Sequence, residues 1–163
     1  MVIVLMGVSG AGKTTVGRLL VEALGAEFAE GDAYHPPENV EKMRRGIPLE
    51  DADRWPWLHI LAAQIDRWLA AGKTVVLACS ALKQSYRDVL AQGRPEVRFV
   101  HLEGDKALIR RRLDARRGHY MPAILLDSQF AALERPADAV TVDVAGTPEA
   151  IVAELVQRLA RNS

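Results

Sequence analysis

The sequence predicts an α/β fold with a five-stranded parallel sheet and helices on both faces. Three observations carry this expectation. Unbroken apolar runs, such as Val2-Ile3-Val4-Leu5-Met6 and residues 74–78, fit strands buried on both sides, as in a parallel sheet. Between these runs lie stretches with apolar residues at helical spacing. The two kinds of segment alternate along the chain, which calls for right-handed crossover connections.

The first apolar run leads into Gly7-Val8-Ser9-Gly10-Ala11-Gly12-Lys13-Thr14, which fits G-x-x-x-x-G-K-[ST] at every defined position. After it, Val16, Leu19, Leu20, Ala23 and Leu24 recur at helical spacing, and Gly25 stands where a helix C-cap would. A strand before and a helix after is the context that gives this motif its meaning. Its glycines leave room for phosphate oxygens, and the loop N–H groups with the helix N-terminus form an anion site. Gly7, Val8, Ser9, Gly10, Ala11, Gly12, Lys13, Thr14 and Thr15 are therefore the expected nucleotide-binding set. Lys13 supplies a charge for the β- and γ-phosphates, and Thr14 a hydroxyl for Mg²⁺.

Residues 26–30 form a short strand candidate ending at Glu30-Gly31-Asp32. Ligands of open α/β sheets sit beyond the carboxyl ends of strands, so these two acids are placed to serve the reaction. Glu30 and Asp32 are the candidates to hold the metal through water, since the strand at 74–78 ends at Cys79-Ser80 with no acid. A short helix from Pro37 ends at Gly46, and Asp53 is a candidate cap for the next helix, whose inner face carries Leu58, Leu61, Ile65, Trp68 and Leu69. Residues 31–60 are rich in His, Asn, Lys, Asp and Arg and read as the acceptor-binding region. A helix opening at Ala81 puts Lys83 and Arg87 one turn apart. The strand at 97–102 is followed by a basic helix with Arg110, Arg111, Arg112, Arg116 and Arg117 leading into Gly118-His119-Tyr120-Met121-Pro122, the pattern of a lid over about 112–127. A helix over 125–133, a strand over 139–144 and a helix capped by Thr147 complete the chain.

At 163 residues, the chain is expected to form a single domain. Its 21 basic and 21 acidic side chains balance, which argues against nucleic acid or an acidic membrane as the main partner. Cys79 is the sole cysteine, so no internal disulfide forms, and a reducing compartment fits. The first apolar run is too short for a signal peptide core or a membrane span, and the expected location is cytoplasmic. His59 and His101 read as structural, and no His/Cys constellation suggests zinc.

Four blocks together carry a resemblance to the gluconokinases, small ATP-dependent kinases of the broad group that includes shikimate and adenylate kinases. They are Gly7 to Thr14; Gly31-Asp32 with His35, Asn39, Lys42-Met43, Gly46, Pro48-Leu49, Asp53-Arg54 and Pro56-Trp57-Leu58; Cys79-Ser80-Ala81-Leu82-Lys83 with Tyr86-Arg87-Asp88; and Arg116 and His119 with Ser128-Gln129-Phe130 and Leu133-Glu134. The first block is common to many NTPases; the second and third are far more specific. The resemblance covers nearly the whole chain. One departure stands out: Asp-x-Asp at the second strand end, as in shikimate kinases and many gluconokinases, is Glu30-x-Asp32 here.

The resemblance implies a P-loop nucleotide-kinase-like three-layer fold with a substrate-binding insertion and a lid. It implies in-line phosphorylation of D-gluconate by ATP and Mg²⁺ at the 6-hydroxyl, and a homodimer. In that reading Lys13, Asp32, Arg112 and Arg116 are the catalytic set, with Asp32 taking the hydroxyl proton. Arg54, Lys83 and Arg87 are the candidates for the gluconate carboxylate, with arginine favoured for a bidentate fork. His35 and Gln129 suit hydroxyl recognition, and His119 either pins the closed lid or packs. The rivals are a kinase for shikimate, a nucleoside monophosphate or another sugar acid, and an NTP-binding switch. The absence of a guanine-reading Asn-Lys-x-Asp speaks against a GTPase switch.

Overall fold

The structure, a computed structural model, describes residues 1–116 and 123–162. β1 (Val2–Met6) enters the phosphate loop, and α1 (Lys13–Leu24) leaves it. β2 (Glu27–Glu30) runs into a 3₁₀ turn, Gly31–Tyr34, and then into α2 (Pro37–Arg44) and the long α3 (Asp51–Ala70). β3 (Val75–Ala78), α4 (Gln84–Ala91), β4 (Val97–Glu103), α5 (Lys106–Ala115), α6 (Ala123–Ala132), β5 (Val140–Asp143) and α7 (Pro148–Arg161) follow. The five strands form one parallel sheet in the order β2-β3-β1-β4-β5.

Strand alternation divides the core. Ile3 and Leu5 of β1 face one side, where Val16 and Leu20 of α1 and Ile151, Leu155 and Leu159 of α7 cover the sheet. Val2, Val4 and Met6 face the other, covered by Leu58, Leu61 and Ile65 of α3 and by Tyr86 and Leu90 of α4. Each fully buried aliphatic side chain contributes roughly 1.5–3 kcal/mol. The expected three-layer α/β architecture is therefore present. β1 lies between β3 and β4, so the chain turns outward to opposite sides of it, and the carboxyl ends of β1, β2 and β3 open on one crevice.

Three helix starts differ from the sequence reading; α6 opens at Ala123, ahead of the expected 125. Glu50, rather than Asp53, is the N-cap of α3; Asp53 sits a turn later and accepts the Glu50 N–H at 2.9 Å. The helix continues through Pro56 with the loss of one main-chain N–H donor. α4 begins at Gln84 rather than Ala81, because Ala81 has a left-handed backbone (φ 44) that no helix start accepts.

α1 lies close against β2 because Gly17 has no side chain: a Cβ there would fall 2.4 Å from Phe28 Cε1 and 3.3 Å from Leu5 Cδ1. Gly17→Ala gains up to about 1 kcal/mol of helix propensity. It loses about 1–3 kcal/mol to overpacking. The expected outcome is a lower urea midpoint; an unchanged or higher one would mean that the Phe28 ring yields freely.

Candidate active site

The phosphate loop is shaped by what packs beneath it. Gly10 adopts φ 84, and a Cβ there would meet Leu113 Cγ at 2.8 Å and Ile109 Cγ2 at 3.1 Å. The loop thus rests directly on the apolar side of α5. Lys13 folds back, its ammonium donating to the carbonyls of Gly7 (2.8 Å) and Val8 (3.0 Å). Burial pushes this ammonium down to about 8 against the pull of the Asp32 and Glu30 carboxylates, while the Arg116 charge adds to the lowering. Ser9 is gripped from α6: its N–H donates to Gln129 Oε1 at 2.7 Å, and Gln129 Nε2 donates to Ser9 Oγ at 3.0 Å.

The two acids after β2 have different surroundings. Glu30 Oε1 accepts the Thr14 hydroxyl at 2.6 Å, so two of the expected metal residues touch. Among the described residues no group of three or more His, Cys, Asp or Glu could hold a metal. A hydroxyl and one or two carboxylates nevertheless suit Mg²⁺, which takes its remaining oxygens from phosphate and water. Asp32 lies on the 3₁₀ turn with an exposed side chain. The facing His35 holds its carboxyl below the usual range, partly opposed by desolvation, with help from Lys13. The turn itself is clamped: the Trp57 indole N–H donates to the Gly31 carbonyl at 2.8 Å.

Arg54 and Lys83, the first two carboxylate candidates, meet across α3 and α4. Arg54 Nη1 donates to the Tyr86 hydroxyl at 3.1 Å, and that hydroxyl donates to Asp51. Lys83 Nζ lies 3.3 Å from both Asp51 oxygens, and hydrogen bonding to Asp51 raises the lysine pKa. Both cations stand 5.6 Å from the Tyr86 ring centroid.

The third candidate, Arg87, does not join them. Its side chain is 2% exposed, and its guanidinium donates to the carbonyls of Ala81 (2.7 Å), Leu82 (3.1 Å) and Glu134 (2.7 Å) and to Gln84 Oε1 (3.1 Å). It braces the left-handed turn at Ala81 and the chain after α6, and it is not open to a ligand carboxylate. Gln129 is likewise engaged by the phosphate loop instead of standing free for a substrate hydroxyl. The His35 side chain is only 3% exposed and is turned toward Asp32. Arg112 lies in the last turn of α5 and Arg116 caps it, while His119 lies outside the described residues. Cys79 is buried beside the site, and desolvation pushes its thiol up to about 12, so it remains neutral.

Two contributors escaped the sequence reading. Asp51 supplies the counter-charge for Lys83, and the acid cluster at 50–53 is its only trace in the sequence. Trp57 clamps the Asp32 turn, for which no local pattern gives a signal. A cleft of about 900 Å³ lies at the opposite edge, between α4, the amino ends of β4 and β5, and α7. Its Arg94, Arg98 and Arg158 donate to the carbonyls of Leu90, Leu159 and Thr141, which makes them braces of the scaffold.

Residues 2–136 match the AAA domain family. Over 158 residues the chain is 47% identical to a gluconokinase from Gluconobacter oxydans (strain 621H), covering 95% of this chain and 89% of that protein. The chain belongs to the gluconokinase family. It is also 46% identical over 145 residues to the thermosensitive gluconokinase of Escherichia coli (strain K12), covering 86% of this chain and 78% of that one. The crystal structure of a gluconokinase from Sinorhizobium meliloti 1021 superposes with a TM-score of 0.82 at 47% identity, covering 99% of this chain and 96% of that one. This gluconokinase-family chain is thus an enzyme, a kinase with the P-loop fold. No described helix is long and apolar enough to cross a membrane.

Arg87→Met would leave the carbonyls of Ala81, Leu82 and Glu134 without their donor. Each unsatisfied buried group costs about 1–3 kcal/mol. The expected result is a loss of at least about 2 kcal/mol in urea unfolding, with little change in KM for the acceptor at temperatures where the variant stays folded. A raised KM with unchanged stability would return Arg87 to the substrate site.

Proposed function

We propose that this chain transfers the γ-phosphoryl group of ATP to the 6-hydroxyl of D-gluconate, giving 6-phosphogluconate and ADP. The observation that carries the reading is that the Thr14 hydroxyl of the phosphate loop bonds to Glu30 at the end of β2 at 2.6 Å, with Asp32 on the turn just after it, so phosphate loop and acids open on one crevice. Family membership supplies the acceptor. The other acceptors weighed, shikimate and nucleoside monophosphates, are the controls of the experiment below.

The reaction is an in-line displacement: the 6-oxygen bonds to the γ-phosphorus as the bond to the β,γ-bridging oxygen breaks. Charge in such loose transition states sits on oxygens, so positioning and electrostatics do most of the work. The amides of residues 7–15 cradle the phosphates, and Lys13 turns from the Gly7 and Val8 carbonyls to the β- and γ-oxygens. Thr14 would hold Mg²⁺ directly, with Glu30 and Asp32 through water; bound there, the metal neutralises phosphate charge. Asp32, ionised and exposed, accepts the hydroxyl proton and releases it to solvent. Arg54 and Lys83 receive the gluconate carboxylate, with Arg54 favoured for the fork. Residues 31–60 form the acceptor region. Arg112, Arg116 and His119 belong to a lid over about 112–127 that closes on the phosphates and excludes water. The working form is a cytoplasmic homodimer.

ADP release with ATP and Mg²⁺ should depend on gluconate and not on shikimate or a nucleoside monophosphate; equal release without any acceptor would sink the reading. Asp32→Asn should lower kcat by roughly 10²–10⁴ while ATP affinity holds. A loss below about tenfold would remove Asp32 as the base. With Lys13 near 8 in the free protein, phosphate binding should restore its proton. ATP binding at pH 8 should therefore take up about half a proton per site, fading by pH 6. Calorimetry in buffers of different ionisation enthalpy reads this uptake, which Lys13→Met should abolish.

A further inference from the structure

We propose that His35 is a positioning residue for Asp32, held in a single tautomer by Asn39 so that its Nε2–H faces the carboxylate. The proposal deepens the reading of Asp32 as proton acceptor and rests on it.

The tautomer follows from the hydrogen bonds. Asn39 is buried, and its Nδ2 lies 2.8 Å from the main-chain carbonyl of Asp53 and 3.1 Å from His35 Nδ1. A carbonyl can only accept, so the atom beside it must be the amide nitrogen, and this settles which way the Asn39 amide points. The second amide hydrogen then goes to His35 Nδ1, which must present a lone pair. A neutral imidazole with a bare Nδ1 carries its proton on Nε2. That nitrogen lies 3.7 Å from Asp32 Oδ1.

The two partners differ in freedom. The His35 ring is stacked on Trp57 (centroids 4.2 Å apart, planes 18° apart), and Trp57 is itself bonded to the Gly31 carbonyl. Asp32 has 86% of its side chain exposed, so packing does not fix its rotamer. A rigid N–H beside a mobile carboxylate orients it: a small χ rotation of Asp32 brings its oxygen into hydrogen-bond range, leaving the other oxygen for the acceptor hydroxyl. Among the described residues the Lys13 ammonium and the neutral Cys79 thiol also act on Asp32, and neither supplies such a directed bond. His35 keeps its proton throughout. The hydroxyl proton goes to Asp32 and on to water.

The lysine side of the same assembly explains why α2 belongs to it. Lys42 Nζ lies 2.9 Å from both carboxylate oxygens of Asp53, which fixes α2 on the start of α3 and carries Asn39 to His35.

The test begins with the free full-length protein. Long-range ¹H–¹⁵N NMR at neutral pH should show His35 with a bare Nδ1 and a protonated Nε2; the opposite tautomer overturns the proposal. His35→Phe keeps a ring on Trp57 and removes the Nε2–H that faces Asp32. With gluconate as acceptor, His35→Phe should lower kcat roughly 10- to 100-fold, with KM within about threefold. His35→Gln, whose amide can still donate toward Asp32, should recover part of the loss. A large rise in KM at preserved kcat would instead put His35 against the substrate, and equal losses in both variants would make it packing only. The tautomer readout needs no substrate. If Asp32→Asn keeps full turnover, it is the base assignment that has failed, while the tautomer still decides the His35–Asp32 pairing.

Discussion

The site depends on the complete burial of β1. All five residues of that strand are buried; all five pair with β4 and the first four also pair with β3, so its carboxyl end cannot drift. Gly7 N–H donates to the Ser80 carbonyl at 3.2 Å, which fixes where the phosphate loop leaves the sheet. From that point the loop curls over α5, and Lys13 is drawn down onto the loop carbonyls. The cradle is thus an exit from the most rigid part of the molecule. Its cost is a desolvated ammonium, which only anionic oxygens fully compensate.

The acceptor side is built on a different principle. β2 is an edge strand and only partly buried, so the turn carrying Asp32 needs outside support. That support comes from α3: Trp57 holds the Gly31 carbonyl, and Arg54 with Asp51 reaches Tyr86 on α4. One helix therefore braces both the turn that carries Asp32 and the cluster of Arg54, Asp51 and Tyr86. Trp57, Arg54 and Asp51 keep their spacing along it because helical rise is a stiff ruler.

The layout of the fold was legible because apolar runs and helical periodicity are local signals. β1, α1 and its Gly25 cap, and the Thr147 cap of α7 all lie where those signals put them. The phosphate loop was legible for the same reason. The polar residues were harder to place. Lys83 and Arg87 look equivalent on a helical wheel, yet one reaches Asp51 and the other is buried under carbonyls, including one 47 residues away. His35 and Gln129 present polar atoms that suit a sugar, but their partners come from Asn39, Asp32 and Ser9. Which side chain a buried polar group meets is a tertiary fact, and no spacing rule encodes it.

The strand order also bears on how the chain is made. Val2 to Met6 are made well before their neighbours in the sheet, Val75 to Ala78 and Val97 to His101, and the Gln129 grip on Ser9 spans 120 residues. At synthesis rates of about 5–20 residues per second, the nascent apolar segment waits roughly 5–20 s for its second partner. During that interval it is a naked, sticky end with no lateral pairing. Helix α1, formed from contiguous residues, is the cover that arrives early, through Val16 and Leu20.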